Sequence, residues 1–444
     1  MAGIGFRLQA LVAKGSYLEA STAYASSAVI SAGPWLAGVV ALMTLNSTTS
    51  GYLSKADHAL LFATILSVFA TSILITGGPQ MLVTRYLADR FYAKDTTSVA
   101  PTCAGMVFLV VPLSLITLPF ILFAPFDIRY RLLVITLFLT LSLIWMVMIC
   151  LSAAHEHMRI VLIFIGCYAV GVVSSAVLGP KYGVLGSLAG FTIGQMLCLS
   201  LLLVSVYLEF PSTKGVSFTY LSYISQYWDL LIIGALYTVG IWIDSIIFWM
   251  SSHSEVIHGF YHLFPPYDTA KLVAYLSTIP ASVIFMVHLE TNFHRHYQSF
   301  YESIQNKGTL SELVRAREGM RGAIRAGIGI ILKVQGFLAL FLCLIAQDLA
   351  VFVGLAPKWI PLLCIDIFAG VAQFFVFLMM LLLLCLDRRG ATLVLVGIFA
   401  LCNGVLTLVS IFLGDAFYGM GYLAASIVGA ILGWFLLNAR LKRL

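Results

Sequence analysis

The sequence predicts an all-α polytopic membrane protein with twelve transmembrane helices. Three observations lead there: long apolar runs alternate with short polar breaks along all 444 residues, only 10% of residues are charged, and the mean hydropathy is +1.01. A bilayer core about 30 Å thick takes about 20 apolar residues per helical crossing, and the runs have that length. No stretch is long and polar enough for a soluble catalytic domain, so function is to be sought inside a helical bundle.

Irregular backbone cannot face lipid, because each unpaired amide or carbonyl there costs several kcal/mol. Span ends are therefore set at the polar breaks, near 22–46, 59–84, 99–124, 132–154, 160–179, 184–208, 228–250, 267–290, 326–347, 359–384, 391–413 and 419–439. Span one carries Gly33-Pro34-Trp35-Leu36, and Gly77-Gly78-Pro79 interrupts span two. Arg129 and Arg131 separate spans three and four, Arg159 precedes span five, and Lys181 marks the break before span six. The polar loop Glu209-Phe210-Pro211-Ser212-Thr213-Lys214-Gly215 is the hinge before span seven, which carries Gly240-Ile241-Trp242-Ile243. Span eight carries Pro280, and Arg388 and Arg389 lie between spans ten and eleven.

Lys and Arg orient the spans. With the N-terminus inside, 18 of the 25 basic residues fall on inner segments and 5 on outer ones, with Lys271 and Lys333 inside spans. That bias places both termini in the cytoplasm. The net charge of +6 is thus topological and gives no reason to expect nucleic-acid binding. The first twenty residues lack the ordered charged, apolar and small-residue regions of a cleavable signal. They read instead as an amphipathic interfacial helix, with Ile4, Leu8, Leu11 and Val12 on one side. The first six, Met1 to Phe6, lack the Ser or Thr of a myristoylation signal. The 8 cysteines are isolated and none forms a CxxC pair, so they read as small core hydrophobes.

Spans one and seven match at Gly33-Pro34-Trp35-Leu36 and Gly240-Ile241-Trp242-Ile243, and each is followed by a span with a proline, Pro79 and Pro280. Six spans per half bring both halves in from the same side. Such repeats are related by an axis along the membrane normal, with substrate expected at their interface. The expected division is an N-terminal bundle 1–208, a cytoplasmic linker 209–227 and a C-terminal bundle 228–444 that includes a cytoplasmic segment 291–325.

Three features are candidates for mechanism. Gly33-Pro34, Pro79 and Pro280 mark helix bends, because proline removes an amide donor and clashes with the preceding turn. Packing is the plain alternative, since membrane helices tolerate Gly and Pro. The second feature is charge inside spans: Asp244, Lys271, Glu290, Lys333 and Asp366, with Asp229 and Asp268 at span edges. A central charge costs at least about 2.5–3.5 kcal/mol on insertion scales and so faces a cavity or a partner. Asp268 and Lys271 share a helical face. Either Asp244 is a satisfied structural pair and the lysines snorkel, or Asp244 and Lys271 line an outward vestibule. Trp242 belongs to the same candidate pathway, and other aromatics at span ends form an interfacial belt or stack on sugar rings. The third feature is 291–325, where Leu310, Leu313, Val314, Met320 and Ile324 lie beside a stripe of Arg317, Arg321 and Arg325, preceded by the aromatic and basic run Asn292 to Tyr297 with Arg295. The pattern suits a helix lying on an anionic inner leaflet or docking a cytoplasmic partner.

His258 and His262 are four apart but have no further ligands nearby in sequence, so no metal is expected. No GxxxxGK[ST], HExxH or GxSxG occurs, so neither a cofactor nor an enzymatic activity is expected.

Several segments resemble the PelG family. They are Met1-Ala2-Gly3-Ile4-Gly5-Phe6, Ser31-Ala32-Gly33-Pro34-Trp35, Gly240-Ile241-Trp242-Ile243-Asp244, and the run Phe264 to Ala270 continuing through Ile279-Pro280 to His288-Leu289-Glu290-Thr291-Asn292-Phe293. Arg7 and Lys271 are more basic than that resemblance implies. The resemblance implies an inner-membrane transporter of the multidrug, oligosaccharidyl-lipid and polysaccharide flippase superfamily, with two six-helix bundles around a central cavity. It implies a polymer rich in N-acetylgalactosamine as cargo, made by the glycosyltransferase PelF, and a biofilm-matrix complex with PelD and PelE. Two other readings stay open: an ion-coupled antiporter of small molecules or lipid-linked sugars, with Asp244, Glu290 or Asp366 carrying the ion, and a membrane transferase or scaffold.

Overall fold

A computed structural model describes residues 17–114, 117, 121, 123–153 and 157–443. The amphipathic N-terminal reading through residue 16 lies outside them. The chain is built from helices: α1 (Tyr17–Thr49), α2 (Lys55–Tyr92), α3 (Val99–Ser114), α4 (Ile128–Ala153), α5 (His157–Glu209) and α6 (Ile224–Trp249). A two-stranded hairpin, β1 (Glu255–Ile257) and β2 (Tyr261–Leu263), precedes α7 (Pro265–Ser277) and α8 (Ile279–Ile284). Then come α9 (Thr291–Gln305), α10 (Leu310–Leu344), α11 (Ala346–Phe352), α12 (Ile360–Cys385), α13 (Arg389–Leu413) and α14 (Met420–Arg443). Among the described residues, ten helical segments are long and apolar enough to cross a membrane.

One of the ten is α5, which holds two expected spans. They join at Gly183, whose φ of 62° and ψ of −141° leave the helical region. Such positive φ is open to glycine and strained for residues with a Cβ. The arms are fastened where Ser175 Oγ donates to the Ser187 carbonyl at 2.8 Å and Tyr52 Oη donates to the Ser175 carbonyl at 3.1 Å.

The chain divides into two compact units. The first holds Ile243–Ile247 and Pro265–Leu444 with the described residues up to Ala32, and the second holds Gly33–Trp242 and Phe248–Phe264. In the second, Leu61, Ile65, Val83, Leu137 and Phe138 are buried in a common apolar core. In the first, α12 packs against α7, α13 and α14, and α9 against α10.

Two sequence expectations change. The helical backbone of α2 runs on through Gly77, Gly78 and Pro79, so these residues do not interrupt the span. The glycines serve close packing instead: a Cβ at Gly78 would come within 2.8 Å of the Leu231 carbonyl, and one at Gly77 within 2.6 Å of Thr238 Oγ1. Likewise α1 continues through Pro34.

Segment 291–325 is the second change. The helical spacing of its apolar residues extends both neighbouring spans, and the connection shrinks to 306–309. α10 begins at a capping box, with Thr309 Oγ1 accepting from the Glu312 amide at 3.4 Å and the Glu312 carboxylate accepting from the Thr309 amide at 2.8 Å. Its 35 residues span about 52 Å at about 1.5 Å per residue, well beyond a 30 Å bilayer core. One continuous helix cannot both cross the membrane and lie flat on it along its first turns. Ala316, Met320 and Ile324 are buried, whereas Leu310 and Val314 are exposed. Arg317 and Arg321 both reach Glu318, at 3.4 and 2.8 Å, and Arg295 and Arg325 are exposed.

Pro280 does fall at a break. It has no amide for the Leu276 carbonyl four residues before it, and α7 ends at Ser277 with α8 starting at Ile279. Gln335 of α10 donates Nε2 to the Ser277 carbonyl at 2.5 Å, supplying a partner where none is available from lipid. A π-turn, Phe285–Glu290, follows.

Gly78→Ile is expected to destabilise the α2–α6 crossing by about 1–3 kcal/mol, as overpacking does. Chemical denaturation of the purified protein checks this, with Gly215→Ile, which meets open space, as the neutral control.

Candidate functional site: a buried carboxylate and ammonium

The first unit encloses most of the intramembrane charge. α6 supplies Asp244 and Ser245, α7 supplies Tyr267, Lys271 and Tyr275, and α12 supplies Asp366. Asn403 comes from α13 and Tyr422 from α14. Asp244 is 0% exposed and Lys271 5%.

The four-residue steps from Tyr267 to Lys271 to Tyr275 put these three side chains on one face of α7. That face meets Asp244. Lys271 Nζ donates to Asp244 Oδ1 at 2.8 Å and Oδ2 at 2.7 Å, and to Ser245 Oγ at 3.1 Å. Tyr267 Oη donates to Asp244 Oδ2 at 2.5 Å, and Asn403 Nδ2 to Oδ1 at 3.3 Å. Thr407 Oγ1 in turn donates to Asn403 Oδ1 at 3.2 Å, which orients the amide. The Asp244 carboxylate is thus bound through both oxygens by charge-assisted hydrogen bonds.

Asp366 is 0% exposed, and neither carboxyl oxygen has a hydrogen-bond partner among the described residues. It stands on α12, which packs against α7. A Cβ at Gly419 would come within 2.6 Å of Asp366 Oδ1, so the loop before α14 covers this carboxyl closely.

Of the residues singled out from sequence, the fold gathers Asp244, Lys271 and Asp366. Asp268 is half-buried on α7, and Lys271 forms its ion pair across helices, with Asp244 at 2.7 Å. Trp242 belongs to the second unit, its ring 6.1 Å from that of Trp249. Glu290 ends the π-turn, and its side chain lies outside the described residues. Lys333 is exposed on α10. Sequence reasoning missed Ser245, Tyr275, Asn403 and Tyr422, and it counted Tyr267 only among the span-end aromatics of a belt or sugar-stacking set, although that ring is fully buried. The one local signal was the Tyr267-Lys271-Tyr275 spacing.

Comparison with known proteins decides the family. The profile of PelG, an exopolysaccharide exporter (EPS-E), matches residues 1–444. The chain belongs to the PelG family. No curated protein matches the chain. Among solved structures, the chain is similar to a MOP superfamily transporter from Pyrococcus furiosus, with a TM-score of 0.68, 13% identity, and 94% of this chain and 95% of that one covered. It is similar to an outward-facing multidrug resistance MATE transporter of the same superfamily, at TM-score 0.69 and 12% identity over 95% of each chain. A Vibrio cholerae MATE transporter gives TM-score 0.67 and 14% identity, covering 95% of this chain and 98% of that one. These identities establish the fold, the twelve-helix, two-lobe arrangement of MATE transporters. The chain is a multi-pass membrane protein of an exporter family, on a fold it shares with transporters.

Removing one partner of a buried ion pair leaves an uncompensated charge and costs about 3–5 kcal/mol, whereas replacing both by apolar or neutral groups is close to neutral. Lys271→Met is therefore expected to lower stability by about that amount, and Asp244→Asn/Lys271→Met to recover most of it. Thermal or denaturant unfolding of the single and double variants checks the order.

Proposed function

We propose that this protein exports a Pel-type exopolysaccharide, rich in N-acetylgalactosamine, across the bacterial inner membrane for the biofilm matrix. The carrying observation is the match of the exopolysaccharide-exporter family over the full chain, 1–444, on a transporter fold. In this reading both termini are cytoplasmic, as the 18 to 5 distribution of basic residues supports. The two six-span halves, 1–208 and 228–444, are its working parts, joined by 209–227.

The chain is the transport subunit of a complex in which PelF makes the polymer and PelD and PelE are membrane partners. The sequence contains no nucleotide-binding P-loop, so growth of the polymer by the partner transferase supplies the push. Arg295 and Arg325, exposed like Lys307 and Arg315, are proposed to meet a cytoplasmic partner or anionic headgroups, together with Arg317 and Arg321, which pair with Glu318. Gly33-Pro34, Pro79 and Pro280 are proposed as bending points.

A second reading, an ion-coupled antiporter of small molecules or lipid-linked oligosaccharides, is favoured by one observation: the buried carboxyl of Asp366, without a hydrogen-bond partner among the described residues, on a fold shared with multidrug transporters. Purified protein in liposomes separates the two. The export reading expects no proton- or sodium-driven flux of cationic dyes, and such flux supports the antiporter. Deletion of the gene is expected to abolish secreted polymer while PelF still accumulates, and complementation to restore it. Unchanged secretion in the deletion contradicts export.

A further inference from the structure

Lys271 is enclosed by more than its ion pair. Its Nζ lies 5.0 Å from the ring centroid of Tyr422, 5.8 Å from that of Tyr267 and 6.0 Å from that of Tyr275. Aromatic faces attract a cation within about 6 Å of the ring centroid, more strongly where water is excluded. A carboxylate at one side and three tyrosine rings around the rest make a host for an ammonium group, and here the guest is part of the chain.

We infer that the first unit contains an organic-ammonium binding site whose resident ligand is the Lys271 side chain, and that this site takes up a free primary alkylammonium when that side chain is truncated. Three observations select the ligand class. Asp244 Oδ1, Asp244 Oδ2 and Ser245 Oγ accept from Nζ at 2.8, 2.7 and 3.1 Å, which requires N–H donors that a quaternary ammonium lacks. The remaining wall is aromatic, which suits a diffuse cation with an apolar stem. Among the described residues, no three His, Cys, Asp or Glu side chains gather to hold a metal ion. In the intact chain the host is filled from within, so it holds its charge balance without drawing a cation from solution.

Lys271→Ala removes Cγ, Cδ, Cε and Nζ, the atoms of n-propylammonium. The test is the melting temperature of the purified full chain in nanodiscs. At millimolar n-propylammonium chloride the variant is expected to gain about 1–3 °C over sodium chloride of equal ionic strength. Propan-1-ol, tetraethylammonium and wild-type protein are expected to show no such gain, and Asp244→Asn/Lys271→Ala none either. No specific gain in Lys271→Ala, or an equal gain in wild type or in the double variant, overturns the inference. If Lys271→Ala does not accumulate in cells, cell-free synthesis into nanodiscs supplies the reading: n-propylammonium is expected to raise the protease-resistant yield, and an unchanged yield overturns the inference. Neither measurement involves polymer, so their outcome is independent of the export proposal.

Discussion

The ion pair between Asp244 and Lys271 is the constraint around which the first unit is organised. Lipid offers a buried carboxylate neither water nor a partner, so Asp244 on α6 must be met by its own chain. Lys271 on α7 and Asn403 on α13 do so, and Tyr267 closes the remaining side. Helices far apart in sequence are thereby held in one arrangement. Breaking the pair from either side exposes a charge that the fold cannot hydrate. A buried pair is weak evidence of net stability, and its value here lies in fixing which helices meet.

The same rule governs span eight. Pro280 leaves the Leu276 carbonyl without its amide, the helix breaks after Ser277, about 1.7 turns beyond Lys271, and Gln335 on α10 donates to the Ser277 carbonyl at that break. The side chain that holds Asp244 thus stands on a short helical piece, α7, whose lower end is secured from a neighbouring helix. A segmented helix with repaired ends can change direction more readily than a continuous one. This connects local proline chemistry to the motion that a transporter needs.

Most of the fold was legible because a membrane span is set by length and hydropathy, which are local quantities. The break near Gly183 was also legible, since Lys181 interrupts the apolar run. In 291–325 the amphipathic helix was legible from the spacing of its apolar and basic residues, but its continuity with span nine was not, because hydropathy sets a connection there. The hairpin Glu255–Ile257 and Tyr261–Leu263 is too short for a periodicity signal. The site was half legible. Charges inside spans identified Asp244, Lys271 and Asp366, but the sequence set Lys271 beside Asp268, its neighbour on the same helix face. The actual partners, Asp244 and Tyr422, come from other helices, and neutral polar groups such as Asn403 carry no signal until the helices are packed.

The central claim is that this chain moves an exopolysaccharide through the membrane. Inverted inner-membrane vesicles carrying the complete synthase complex, supplied with UDP-N-acetylgalactosamine and then with a hydrolase outside, measure it directly. The account expects newly made polymer to become protected inside the vesicles only when this chain is present. Polymer that stays fully digestible with the chain present, or that is equally protected without it, would contradict the account.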